Sequence, residues 1–231
     1  MFGRILLTAV VAGLLSGFFL WGAHMVKTTP LIVAAEVYEN APEGGGHTHA
    51  SEAEAAKPHD HPAPAAPAFD FERSGLTLLA DLITATGFAL LLTAAISVKG
   101  APVDWQKGVL WGFAGYTAFF LAPSLGLPPE LPGMMAADLG ARQTWWFSTV
   151  AATAAGLGLA AFSPASWGKA LGLVLIVLPH VIGAPAHVTG ESNVPAELAA
   201  QFAITTAVVS GLFWIVLGGL TGYFYNRFDN A

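Results

Sequence analysis

The stretch Ile5–Met25, ILLTAVVAGLLSGFFLWGAHM, is 21 residues long and contains no Asp, Glu, Lys or Arg. At 1.5 Å per residue a helix of that length covers about 30 Å, the thickness of the hydrocarbon core of a bilayer. The run exceeds the 7–15 apolar residues of a signal-peptide core, and no small-x-small cleavage site directly follows it, so it reads as a retained span. Five further stretches have the same character: Gly75–Val98, Lys107–Leu125, Gln143–Phe162, Lys169–Val188 and Leu198–Tyr223. The predicted fold is therefore all-α, a polytopic membrane bundle of about six spanning helices forming a single membrane domain over residues 1–231.

Composition agrees. Of 231 residues 55% are hydrophobic and 10% charged, and mean hydropathy is +0.61. A soluble domain carries roughly 25% charged residues; here too few remain to cover a water-facing surface. There is no cysteine, which excludes disulfides, thiolate metal centres and cysteine nucleophiles. The net charge of −6, with no basic run, gives nucleic acid nothing to bind. No G-x-x-x-x-G-K-[ST] segment occurs, so the chain has no P-loop of its own. Gly156 and Ala160, and Gly218 and Gly222, lie four apart and predict close helix contacts. Trp21, Trp105, Trp145, Trp146, Trp167 and Tyr223 fall near span ends, where amphipathic rings favour the headgroup region.

Residues 28–73 form the one long stretch of water-exposed character. Pro30–Tyr38 is apolar enough for a short interfacial helix, whereas Glu43–Pro67, rich in Gly, Ala, Pro and His, has no hydrophobic periodicity and predicts disorder. With an even number of spans both termini share a side with Lys99, Lys107 and Lys169; with Arg4 and Arg227 that side has five basic residues, against Lys27, Lys57, Arg73 and Arg142 on the other. The excess favours cytoplasmic termini and an extracytoplasmic His-rich loop.

Four of the seven histidines, His47, His49, His59 and His61, lie within this loop as two H-x-H pairs. Two imidazoles that close together on a flexible chain suit Co, Ni, Cu or Zn, and the pairs predict loose collection of such an ion rather than a closed zinc fold. His24, His180 and His187 fall in or at the ends of spans, where an ionisable group is costly and is first read as functional. P-H-V-I-G-A-P at 179–185 reads as a broken helix around His180, of the kind that lines transporter sites. Asp81, seven residues into the second span, must face the bundle. On the adopted topology His24, Asp81, His180 and His187 are expected to face one cavity in the outer half. Glu130, Asp138 and Arg142 occupy an outer loop stiffened by Pro128, Pro129 and Pro132, and the spacing predicts an Asp138–Arg142 pair one helical turn apart.

Four features together resemble the CbtA family, predicted cobalt transporter subunits associated with cobalamin-regulated genes in bacteria. They are the first span ending in His24, L-P-P-E-L-P-G at Leu127–Gly133, A-A-D-L with R-Q-x-W-W at Ala136–Trp146, and P-H-x-x-G-A-P at Pro179–Pro185. The resemblance covers nearly the whole chain. It implies cobalt uptake across the bacterial inner membrane, with no enzymatic step, together with a small one-span, His-bearing partner subunit resembling CbtB. It carries roles onto His24, Glu36, Glu130, Asp138, Arg142 and His180. No permanently bound cofactor is expected; Co²⁺, or Ni²⁺ or Zn²⁺, would be cargo. Two other classes stay open: a redox subunit holding b-type haem through histidines at matching depth, and a non-transporting metal chaperone.

Overall fold

The computed structural model describes residues 2–39, 70–100, 102–186 and 192–228. The expected His-rich segment 43–67, the four loop histidines and His187 lie outside these residues. The described chain is helical, with six helices in chain order. Helix α1 is Phe2–Glu39 and α2 is Phe71–Lys99. Helix α3 is a continuous run, 105–124, made of Trp105–Tyr116, a π-helical Thr117–Leu121 and Ala122–Ser124. Helix α4 is Leu139–Phe162, α5 is Ser166–Ile182 and α6 is Ala196–Arg227.

Aspartates begin three of these helices. The side chains of Asp70, Asp104 and Asp138 accept hydrogen bonds from backbone N–H groups of Arg73, Lys107 and Ala141 at 3.1, 2.8 and 2.9 Å. They satisfy donors that a helix start leaves orphaned. Helix α2 ends on Gly100, whose φ of 66° lets its N–H reach back to Ile96 and Ser97, a conformation that costs other residues a Cβ clash.

Helices α1 and α2 pack together, α6 packs on α1 and α3, and α4 packs on α5. Consecutive helices run antiparallel, so one end of the bundle gathers both termini. There Arg4 Nε donates to the Tyr225 carbonyl at 2.7 Å and the guanidinium lies over the Tyr225 ring. The opposite, loop end carries the α3–α4 and α5–α6 connections. The helices meet through glycine, as four-residue spacings of small residues predict. A Cβ on Gly218 would overlap the backbone of α3 at Gly108 and Gly112, one on Gly222 would overlap that of Asp104 and Gly108, and one on Gly156 would stand 2.5 Å from the Gly172 carbonyl. Outward faces are apolar: Ile83, Val181 and Ile204 are among many large hydrophobic residues more than three-fifths exposed. Such a surface suits lipid as the solvent.

By length and composition, four helices could cross a membrane: α1, α2, α4 and α6. The expected count of six is not reached on that measure. Helix α5 is 17 residues long and stops at Ile182, because Gly183 turns to a φ of 89° and Pro185 follows. Helix α3 is diluted by Gly108, Gly112, Gly115, Trp111 and Tyr116.

The first span also runs further than expected. Pro30 does not end it; the helix widens into a π segment at His24–Thr28, where Thr29 N–H bonds the His24 carbonyl five residues back, and then continues to Glu39. The π segment in α3 ends two residues before Pro123 just as this one ends two residues before Pro30. A wider turn moves the carbonyl four residues back away from the proline ring that would otherwise clash with it. The extension is held by packing: Ala35, Leu31 and Ile32 join Leu131, Val194 and Phe202 in a second apolar cluster at the loop end. The short interfacial helix expected at Pro30–Tyr38 is thus helical, but as a continuation of the first span rather than a separate element.

Candidate cation site

His24 is the first residue of the π segment in α1, and Asp81 lies three turns into α2. Close packing brings them together, since Gly13 and Gly17 of α1 sit against the backbone of Thr86 and Leu82. The His24 Nδ1 to Asp81 Oδ2 distance is 3.0 Å, with the imidazole 28% and the carboxylate 10% exposed. An ionised carboxylate only accepts hydrogen bonds, so the proton of a neutral imidazole sits on Nδ1. Nε2 is then left with its lone pair, the arrangement found where a carboxylate orients a metal-ligating histidine. Asp81 is accordingly placed to orient His24.

Above this pair, Glu36 near the end of α1 accepts from Arg73 at the start of α2 at 2.6 Å. The ion pair pins the two helix ends from which the His-bearing segment leaves and returns. It also occupies the Glu36 carboxylate, one of the residues to which the family resemblance carries a role. Trp21, expected at the headgroup region, donates from Nε1 to the Ser74 carbonyl at 3.0 Å and so ties α1 to α2 one turn from the pair.

Other candidates are placed separately. Arg142 pairs with Glu130 at 2.8 Å. This departs from the expected Asp138–Arg142 pair, for a local reason: the Asp138 carboxylate faces the backbone N–H of Ala141 as the α4 cap. Glu130 and Arg142 border a cleft of about 430 Å³ between α3, α4 and their connection, with Phe119, Trp146 and Phe147 along it. His180 lies in the last turn of α5, just before the break at Gly183, with its ring edge-on to Trp145 at 6.0 Å between centroids. Trp145 is itself only 8% exposed, so it is a packing residue and not a headgroup anchor.

Helix α5 packs chiefly on α4, and α1 chiefly on α2 and α6. His24 and His180 consequently do not share a helix interface, and the single cavity expected for His24, Asp81 and His180 is not formed. Among the described residues no three His, Asp or Glu side chains gather at one point. Nor do the two described histidines stand on facing helices as two axial haem ligands must. Sequence reasoning placed His24 and Asp81 on one cavity but gave no site role to Arg73 or Trp145; Arg73 could have been found as the one basic residue in the first turn after the loop.

No curated protein and no solved structure gives a significant match to this chain. A family model does, described as "Probable cobalt transporter subunit (CbtA)", and it spans residues 2–226. With an apolar multi-helix body and a match over nearly its whole length, the chain belongs to the CbtA family of probable cobalt transporter subunits.

Proposed function

We propose that this chain is the membrane-spanning subunit of a cobalt uptake system in the bacterial inner membrane and that the ion passes at His24. The observation that carries this reading is the 3.0 Å contact between His24 Nδ1 and Asp81 Oδ2 in the loop-end half of the α1–α2 interface. With the imidazole proton on Nδ1, facing Asp81, Nε2 of a histidine in an apolar helix keeps its lone pair for a metal ion. The H-x-H pairs His47/His49 and His59/His61 collect the ion and deliver it from the loop tethered by Glu36 and Arg73. With one imidazole, water and transient loop ligands, binding is strong enough to enter and weak enough to leave, as conduction requires.

In this reading all six helices cross the bilayer. The 17 residues of α5 fall at the short end of spanning helices, and the 20 of α3 suffice. Termini are cytoplasmic, on the basic-residue excess around Arg4, Lys99, Lys107, Lys169 and Arg227. A one-span, His-bearing subunit of the CbtB kind completes the system. An interior-negative potential of 100 mV favours entry of a divalent cation by about 4.6 kcal/mol, so facilitated entry needs no nucleotide. The Glu130 and Asp138 carboxylates support the fold in this account, through Arg142 and the α4 start.

The test is ⁵⁷Co²⁺ uptake into proteoliposomes holding the chain with its partner under an imposed interior-negative potential. His24→Ala should abolish uptake while the protein still inserts and purifies normally. Normal uptake by that variant would remove His24 from the pathway.

A further inference from the structure

The cleft between α3 and α4 has a division of character along its length. Its walls are largely aromatic, with Phe119 and Phe120 from α3 and Trp146 and the exposed Phe147 from α4. One end is ionic, where Arg142 and Glu130 pair at 2.8 Å with the guanidinium 31% and the carboxylate 11% exposed. Arg142 stands in the first turn of α4, which places the charges at helix-end depth. Trp146 and Phe147 follow about one turn further into the helix, giving the cleft an aromatic stretch beyond its charged end. Leu139 and Phe147 at the border are each 64% exposed, so the cleft opens sideways, toward the lipid around the bundle. Charged at headgroup level and apolar below, this is the polarity of one phospholipid molecule.

The charge pattern selects the headgroup. An anionic lipid would gain Arg142 but bring its phosphate beside the Glu130 carboxylate. A zwitterionic headgroup meets both: its phosphate oxygens accept from the guanidinium while its ammonium faces the carboxylate. The carboxylate, an acceptor alone, distinguishes among zwitterions, because a primary ammonium has three N–H donors and a quaternary one has none. We propose that the α3–α4 cleft is a binding site for a zwitterionic phospholipid with a primary ammonium headgroup, the phosphatidylethanolamine class. One lipid there would seat its headgroup in the cleft and lay its chains along the exposed Leu139 and Phe147. The site is separate from His24 and Asp81, so its test is independent of the cobalt reading.

Native mass spectrometry of the detergent-purified full chain, titrated in parallel with phosphatidylethanolamine, phosphatidylcholine and phosphatidylglycerol, reads the selectivity directly. One phosphatidylethanolamine per chain should bind about tenfold more tightly than either competitor, the weight of one charge-assisted hydrogen bond. The double variant Glu130→Gln with Arg142→Gln, which leaves no charge unpaired, should bind all three lipids alike. Phe147→Ala, at an exposed border position, should weaken all three without changing their order. Equal binding of the ethanolamine and choline lipids by the unmodified protein would overturn the proposal, as would preference for phosphatidylglycerol. Because that comparison needs no variant, it decides the matter even if the double variant fails to fold.

Discussion

Replacing Asp81 by Asn removes the charge that sets the His24 tautomer while keeping the shape of the side chain. In the proposed arrangement the carboxylate, 10% exposed and 3.0 Å from Nδ1, accepts the N–H of a neutral imidazole and leaves Nε2 its lone pair. Asparagine offers either an amide oxygen or an amide N–H, and the N–H orientation places the proton on Nε2, where it blocks the metal. Loss of such an orienting partner typically costs 10–100-fold in metal affinity, or about 1.4–2.7 kcal/mol. Cobalt titration of the purified protein, followed by visible absorption, should therefore show the dissociation constant of Asp81→Asn raised about 10–100-fold. His24→Ala should remove that binding phase altogether. The two changes should be non-additive, since they act on one contact: the double variant should match His24→Ala. Unchanged affinity in Asp81→Asn, or a binding phase that survives His24→Ala, would refute the orienting role.

Neighbouring glycines of α4 give a sharp packing test. Gly158 has open space where a Cβ would stand, whereas a Cβ on Gly156 would be 2.5 Å from the Gly172 carbonyl. Thermal melts in detergent should show Gly158→Ala stabilised by up to about 1 kcal/mol, from helix propensity, and Gly156→Ala destabilised by about 1–3 kcal/mol, from overpacking. Uptake at limiting cobalt should fall about tenfold as external pH drops from 7.5 to 5.5, because free imidazole protonates near 6.5 and then cannot ligate; replacing His47, His49, His59 and His61 together by Ala should flatten that profile. His180→Ala should lower thermal stability through the lost Trp145 contact yet keep measurable uptake, and an abolished uptake in a folded protein would return His180 to the pathway.

The class of fold was legible because lipid leaves the backbone so few options: 21 residues from Ile5 to Met25 without a charge must be helical. Helix ends were less legible, and Pro30 shows why. A proline normally stops a helix, but π widening at His24–Thr28 and burial of Ala35 against Leu131 and Val194 carry α1 on to Glu39. The same offset recurs before Pro123, where the π segment again ends two residues ahead of the proline. Arg142 illustrates a different failure. Spacing offers it Asp138 one turn back, but an aspartate directly before a helix serves the backbone, and the arginine is left for Glu130, twelve residues away in the chain. His24 and Asp81 each stood out as ionisable groups in apolar runs; their pairing depends on the α1–α2 register set by Gly13 and Gly17, which no local pattern encodes. The separation of His180 depends likewise on which helices neighbour one another, and only the assembled bundle decides that.

The passage of the ion at His24 is tested most directly by X-ray absorption of the cobalt-loaded chain in which His47, His49, His59 and His61 are all replaced by Ala, so that loop imidazoles cannot contribute. At saturating Co²⁺ the account predicts the outer-shell scattering of a coordinated imidazole in this variant, and its loss when His24→Ala is added. Imidazole scattering that survives the His24 replacement, or that is absent before it, would contradict the account.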